Sequence, residues 1–251
     1  MEVTILGCGS SLGVPKINCK CFVCNSPHIK NKRGRASILI TSAQGKNILV
    51  DTSPDLRYQS LHNNITNIDS IIYTHDHADH VAGIDEIRGF LKPKETIDAY
   101  IDDMTFSSIS TRYPYIFKTS DPIYPPILKR KQLNNTQFIH GIEVISFDQT
   151  HGNIISKGLR FCDIAYSTDL NEISEQSLEK LQNLKVWIID CLRYSFAPTH
   201  LYYEKTLELI EKVQPEKAIL THMGHEIEYE EILKITPANV TPAFDGMKIK
   251  I

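Results

Sequence analysis

The chain has 251 residues, 41% hydrophobic and 23% charged, and no apolar run approaches the ~18 residues that a membrane-spanning helix needs. Such a span is therefore excluded, and the composition is that of an ordinary globular protein. Its 27 basic and 30 acidic side chains leave a net charge of −3, which excludes the broad positive field of a general binder of nucleic acid or anionic membrane.

The opening, Met1 to Gly7, lacks the basic segment and long apolar stretch of a signal peptide and reads directly as a strand, so a cytoplasmic protein is expected. Short apolar segments bounded by Gly or polar turn residues predict strands at Val3 to Leu6, Ser37 to Thr41, Asn47 to Val50 and Ser70 to Tyr73. Helical spacing follows over Asp55 to His62, introduced by Ser53-Pro54, and over His80 to Phe90. Lys92 to Leu133 is rich in Pro and aromatics, shows no clear period, and is expected to form a lid or rim. Beyond it, strands are predicted at Glu143 to Phe147, Leu159 to Tyr166, Val186 to Ile189 and Ala218 to Leu220. Helices accompany them at Ser174 to Leu184 and Thr199 to Val213. Two β-rich halves with intervening helices suggest two sheets packed in layers with helices outside. With no repeat, low-complexity tract or linker, a single domain over residues 1–251 is expected.

The strand ending at Tyr73-Thr74 runs into His75-Asp76-His77-Ala78-Asp79-His80, an abrupt change to three His and two Asp. His75 and His77 are two apart and can converge from an extended loop, while Asp79 and His80 can serve a second point as a helix begins. Imidazole and carboxylate suit Zn, Mn or Fe, and a pair of ions can act on both nucleophile and substrate oxygen. Further candidates recur at or just beyond later strand ends, at His151, Asp169 and His222. Asp51, also at a strand end, is expected to accept backbone N–H groups or orient a histidine. Asp76 is expected to hydrogen-bond within its loop.

The His-x-His-x-Asp-His pattern of His75, His77, Asp79 and His80, preceded by Asp51, resembles the metallo-β-lactamase superfamily over nearly the whole chain. The resemblance implies a four-layer αβ/βα sandwich and two catalytic divalent ions, Zn or Mn. One ion would take His75, His77 and His151, the other Asp79, His80 and His222, with Asp169 bridging.

Cys19, Cys21 and Cys24 crowd into six residues, offering three of the four ligands of a closed zinc site. The fourth ligand is His28, nearest in sequence, or His225, three residues beyond His222. Cys8, Cys162 and Cys191 read as ordinary core thiols. The CxCxxC segment, with Gly7 to Pro15 and Asp51-Thr52-Ser53-Pro54-Asp55, resembles the phosphoribosyl cyclic phosphodiesterase branch, the PhnP-like proteins. That branch implies a structural zinc and favours His225. It also implies an acid–base histidine outside the metal shell, and His200 is the matching position.

The expected activity is hydrolysis of a small phosphodiester, preferably cyclic, with Asp79 in the metal machinery and His200 protonating the leaving oxygen. Two alternatives remain at this level. A tRNA 3′-processing nuclease would use the same seven ligands, but the only basic run in the middle segment is Lys129-Arg130-Lys131. A non-catalytic accessory protein of pyrroloquinoline quinone synthesis would share the Cys-rich segment. Proteins of the branch are often dimeric, so a homodimer is one expected assembly.

Overall fold

The structure, a computed structural model, describes residues 1–93, 95–118 and 124–250. In chain order the first elements are β1 (Glu2–Gly7), α1 (Phe22–Asn25), β2 (Ser37–Thr41), β3 (Asn47–Val50), α2 (Leu56–His62), β4 (Ser70–Ile72) and α3 (Ala78–Val81). A 3-10 helix at Ile84–Phe90 leads to β5 (Ile97–Ile101), α4 (Asp103–Arg112), α5 (Pro114–Phe117) and β6 (Leu128–Gln132). Then come β7 (Thr136–Ile139), β8 (Ile142–His151), β9 (Ile154–Phe161), β10 (Ile164–Ser167), α6 (Glu175–Glu179) and β11 (Val186–Asp190). The chain finishes with α7 (Tyr203–Val213), β12 (Lys217–Thr221), α8 (Tyr229–Ile235), β13 (Val240–Pro242) and β14 (Lys248–Lys250).

These elements form two compact units, one of residues 1–6, 37–134 and 246 onward, the other of residues 7–36 and 135–245. The first holds a seven-stranded sheet in the order β14-β1-β2-β3-β4-β5-β6, and the second a seven-stranded sheet in the order β13-β12-β11-β10-β9-β8-β7. Both sheets are mixed. β3 to β6 pair in parallel, as do β10 to β13, while β2–β3 and the β7–β8–β9–β10 run are antiparallel. Two mixed sheets with helices give the αβ/βα class expected from the sequence.

Parallel neighbours need crossover connections, so successive strands deliver their carboxyl ends to the same edge of the sheet. In the first unit Asp51 follows β3 and His75 to His80 follow β4. In the second, Asp169 follows β10, Asp190 ends β11 and His222 follows β12. Each sheet therefore gathers its polar strand-end residues along one edge.

Burial explains the strands. Leu49, Ile71, Tyr73, Val81, Ile84, Ala99 and Ile101 join one buried cluster of the first unit. In the second unit Trp187, Phe147, Phe161 and Tyr166 are among the largest fully buried side chains, and the Trp187 Nε1–H donates to Ser167 Oγ at 3.0 Å. Among the described residues no helix is long and apolar enough to cross a membrane.

Several elements differ from expectation. The helix over His80 to Phe90 divides at Gly83, whose N–H donates to Thr52 O at 2.9 Å. A side chain there would stand 2.0 Å from Ser53 O, so close backbone approach replaces a continuous helix. Leu159 to Tyr166 is two strands, because Cys162 takes a left-handed φ of 54° and reverses the chain. The Lys92 to Leu133 segment supplies sheet strands and helices: β5 alternates buried Ile97, Ala99 and Ile101 with half-buried Asp98 and Tyr100. Its residues 94 and 119–123 lie outside the described residues. The last predicted helix begins at Tyr203, leaving His200 in the preceding loop.

Candidate metal centre

In the first unit Asp51 and Thr74 organise the histidine run. Asp51 is fully buried and has φ 63°. Its Oδ1 accepts the Thr74 N–H at 2.8 Å, and its Oδ2 accepts the Thr74 hydroxyl at 2.7 Å and lies 2.7 Å from His80 Nδ1. Burial pushes the Asp51 carboxyl above the usual range, while His80 and the Thr74 hydrogen bonds pull it back. Thr74 Oγ1, having donated its proton to Asp51, is 3.0 Å from His75 Nδ1 and accepts there. One carboxylate thus orients His80 directly and His75 through a hydroxyl, leaving each Nε2 as the ring atom that could take a metal.

His75 and His77 rings meet edge to face at 4.6 Å, and His75 and His80 rings lie 4.3 Å apart. Asp79 Oδ2 stands 3.3 Å from His80 Nε2. His77 precedes α3 with extended backbone, and Asp79 and His80 occupy the helix itself, as the spacing required. Asp76 turns away: it accepts the Ser108 hydroxyl, and the Arg112 guanidinium donates to its carbonyl, tying the loop to α4. Its partners therefore lie on α4 and not, as expected, within its own loop.

In the second unit Asp169 is the common partner. His222 Nε2 lies 3.3 Å from its Oδ1, and His151 Nε2 3.5 Å from its Oδ2. The Thr168 hydroxyl donates to Oδ1 at 2.7 Å. His151 Nδ1–H donates to Thr199 O at 2.6 Å, which again leaves Nε2 as the ring atom that could take a metal. Asp169 and His222 have φ of 52° and 55°. With Asp51 they are three strand-end residues held in the left-handed region, a backbone cost that accumulates at functional sites.

His200 belongs to this group. Its Nδ1 is 2.8 Å from Oδ2 of fully buried Asp190, its Nε2 is 4.0 Å from Asp169 Oδ2, and its ring stacks on His222 at 4.7 Å and 13°. His151 meets it edge to face at 4.6 Å. Donor atoms of Asp190, His200 and His222 all lie within 4.8 Å of one another. Sequence reasoning missed Asp190. Its signal was an acid closing the apolar strand Val186 to Ile189, as Asp51 closes Asn47 to Val50.

Cys19, Cys21, Cys24 and His225 converge within the second unit, their donor atoms within 4.8 Å of one another. Cys19 and Cys21 Sγ stand 3.6 and 3.5 Å from His225 Nδ1. A tetrahedral zinc with Zn–S of about 2.3 Å and Zn–N of about 2.0–2.1 Å would set sulfur and nitrogen about 3.5–3.6 Å apart, so the donor set fits. Burial raises the Cys21 thiol, but the Cys24 N–H and His225 outweigh it and bring it down to about 6; burial takes Cys24 up to about 11. His28 lies elsewhere, stacked on Tyr229 at 5.9 Å with Nε2 3.4 Å from Glu230. Cys8 and Cys191 are buried, as expected of core thiols, whereas Cys162 is exposed at its turn.

Arg33 holds the His225 loop. It is buried, and its guanidinium donates to Gly224 O at 3.1 Å, Ile227 O at 2.9 Å and Asn31 Oδ1 at 3.2 Å.

Residues 46–223 match the family described as the Beta-lactamase superfamily domain. The solved structure of a diphosphatase from the PhnP family is 32% identical, with a TM-score of 0.92, and the match covers 100% of this chain and 97% of that one. Zn-bound PqqB from Methylobacterium extorquens is 18% identical, with a TM-score of 0.82 and full coverage of both chains, and shares the fold. Among curated proteins, an octanoyltransferase of Porphyromonas gingivalis is 31% identical over 252 residues, 99% of this chain and 51% of that protein. The chain thus spans about half the length of that relative.

Proposed function

We propose that this chain, which belongs to the metallo-β-lactamase superfamily as a PhnP-like hydrolase, cleaves small phosphodiesters. The cyclic phosphodiester is the preferred substrate, and a diphosphate bridge is the second reading, favoured by the PhnP-family diphosphatase relative. The observation that carries this is the His200–Asp190 pair beside Asp169 and His222. It is an acid–base histidine with its own carboxylate, outside the seven residues that the superfamily pattern assigns to metal.

His75, His77 and His151 would hold one divalent ion and Asp79, His80 and His222 a second, with Asp169 shared; Zn and Mn both suit such donors. Bound there, the ions would supply Lewis-acid stabilisation of charge on the phosphoryl oxygens and a more acidic water. Asp51 and Thr74 fix the donor atoms of His80 and His75, and Thr199 O fixes that of His151. Asp190 accepts the Nδ1–H of His200 and keeps Nε2 facing Asp169. His200 Nε2 then gives its proton to the departing oxygen. A structural zinc on Cys19, Cys21, Cys24 and His225 would pin the N-terminal loop to the segment carrying His222.

The test is Mn- and Zn-loaded protein assayed on cyclic phosphodiesters, linear diesters, diphosphate diesters and monoesters. Turnover of diesters or diphosphates above monoesters supports the reading, and monoesterase activity alone overturns it. One tightly bound zinc per chain under every reconstitution would favour the non-catalytic accessory role. Steeply salt-dependent tRNA binding would favour the nuclease. A homodimer is part of the proposal and is checked by light scattering.

A further inference from the structure

Helix α4 meets the histidine run of the first unit from the neighbouring strand. β5 pairs in parallel with β4, Ile72 opposite Tyr100, and the Tyr73 N–H donates to Tyr100 O at 3.1 Å, so the chain leaving β5 enters α4 beside the end of β4 that leads to His75. Asp102 starts the helix, its Oδ1 accepting the Met104 and Thr105 N–H groups at 3.0 and 3.2 Å. Buried Ile109 belongs to the same apolar cluster as Tyr73 and Val81, so helix and strand end share one core. Ser108 and Arg112 are four residues apart and lie on one face of the helix. Both converge on Asp76: the Ser108 hydroxyl donates to its Oδ2, and Arg112 Nη2 donates to its backbone carbonyl and lies 3.4 Å from Oδ2.

We propose that Ser108 and Arg112 are positioning residues for the divalent ion that His75 and His77 would share, and that they act through Asp76. The Asp76 carbonyl belongs to the planar peptide that leads into His77, so a guanidinium bound to it fixes the tilt of that peptide. Thr74 Oγ1 addresses the ring of His75, whereas Arg112 addresses the backbone that carries His77. The clamp also keeps a carboxylate in place. Asp76 stands between two histidines, and a loose carboxylate there is an oxygen donor that a divalent ion would attract. Ser108 and Arg112 engage its Oδ2 and hold it to α4. The side chains of Asp76 and Arg112 are 33% and 37% exposed, and a pair that open to water adds little to stability. Its value lies in placing the histidines, and the inference rests on the reading of His75 and His77 as partners on one ion.

The test is titration of Arg112→Ala with Mn and Zn by calorimetry and chelator competition, with the melting midpoint measured on protein holding only the zinc of the cysteine group. One of the two catalytic ions binds about tenfold or more weakly, the usual effect of losing a support of a metal ligand. The other ion, the cysteine-group zinc and the melting midpoint keep the values of the unsubstituted protein. In cobalt-substituted protein the visible bands of the weakened ion change. Arg112→Lys, which keeps the charge and a donor, restores most of the affinity, and Ser108→Ala weakens the same ion by a smaller factor. Unchanged affinity for both ions in Arg112→Ala overturns the clamp. So does an equal loss at both ions with a lower melting midpoint, which would make α4 a support of the fold alone. An unsubstituted protein that takes up no ion beyond the cysteine-group zinc removes the reading on which the clamp rests. If the selective loss holds while no phosphodiester is hydrolysed, the clamp stands and the phosphodiesterase reading falls.

Discussion

Asp51 Oδ2 lies 2.7 Å from His80 Nδ1, with both side chains fully buried. The carboxylate also carries the Thr74 N–H and hydroxyl, so it links strand end and histidine run. Asp51→Asn is expected to lower metal affinity by about 10- to 100-fold, the usual effect of losing such a partner. Asp51→Ala strands two buried donors as well, costing about 1–3 kcal/mol for each. Chelator competition and urea unfolding measure the two effects, and an Asp51→Asn protein of unchanged affinity would remove the orienting role.

His200→Ala should keep the full metal content and lose kcat by ~10²–10⁴-fold. Asp190→Asn should lose less, and the double variant no more than His200→Ala, because Asp190 acts through His200. Additive losses would assign Asp190 a separate part in the reaction.

Cys21→Ser should bind one zinc fewer per chain and melt at a lower temperature, since it breaks the four-ligand group shared with His225. Metal analysis beside calorimetric unfolding tests this, and unchanged zinc content would sink the structural site.

Asp245 accepts the N–H groups of Gly34 at 2.6 Å and Cys8 at 3.1 Å, yet burial pushes its carboxyl up to about 6. Since the unfolded carboxyl ionises near ~3.9, ionisation favours the unfolded chain. Its effect on stability is smallest below about pH 4, grows as pH rises toward 6, and is constant above. The difference in urea midpoint between this protein and Asp245→Asn should therefore vary with pH across that window and be flat above it.

Gly83→Ala places a methyl 2.0 Å from Ser53 O. Backbone must shift on both sides, and a loss of about 1–3 kcal/mol is expected from overpacking. The displaced segment follows Asp51 directly, so metal affinity should fall with stability. A Gly83→Ala protein as stable as the parent would show that the contact yields without strain.

The candidate ligand run was legible because His75, His77, Asp79 and His80 are local: a strand end and one helical turn set their spacing within six residues. The strands beneath it were legible because burial between parallel neighbours leaves continuous apolar runs such as Ile48 to Val50 and Val186 to Ile189. β5 and β6 escaped notice because Pro and aromatics mask the alternation of Ile97, Ala99 and Ile101, which only its sheet neighbours make meaningful. Asp190 escaped because an acid closing an apolar strand says nothing of its partner until His200 is placed beside it.

By itself the sequence determined which residue types carry the chemistry, that the metal-type donors stand at strand ends, and that three cysteines form one cluster. Only tertiary structure decided that Asp190 holds His200, that Asp51 reaches two histidines, and that His225 completes the cysteine group. The reason is range. Spacing within one turn or strand fixes neighbours along the chain, whereas a hydrogen bond between residues ten, 29 or 206 positions apart exists only once the strands that carry them are paired and packed.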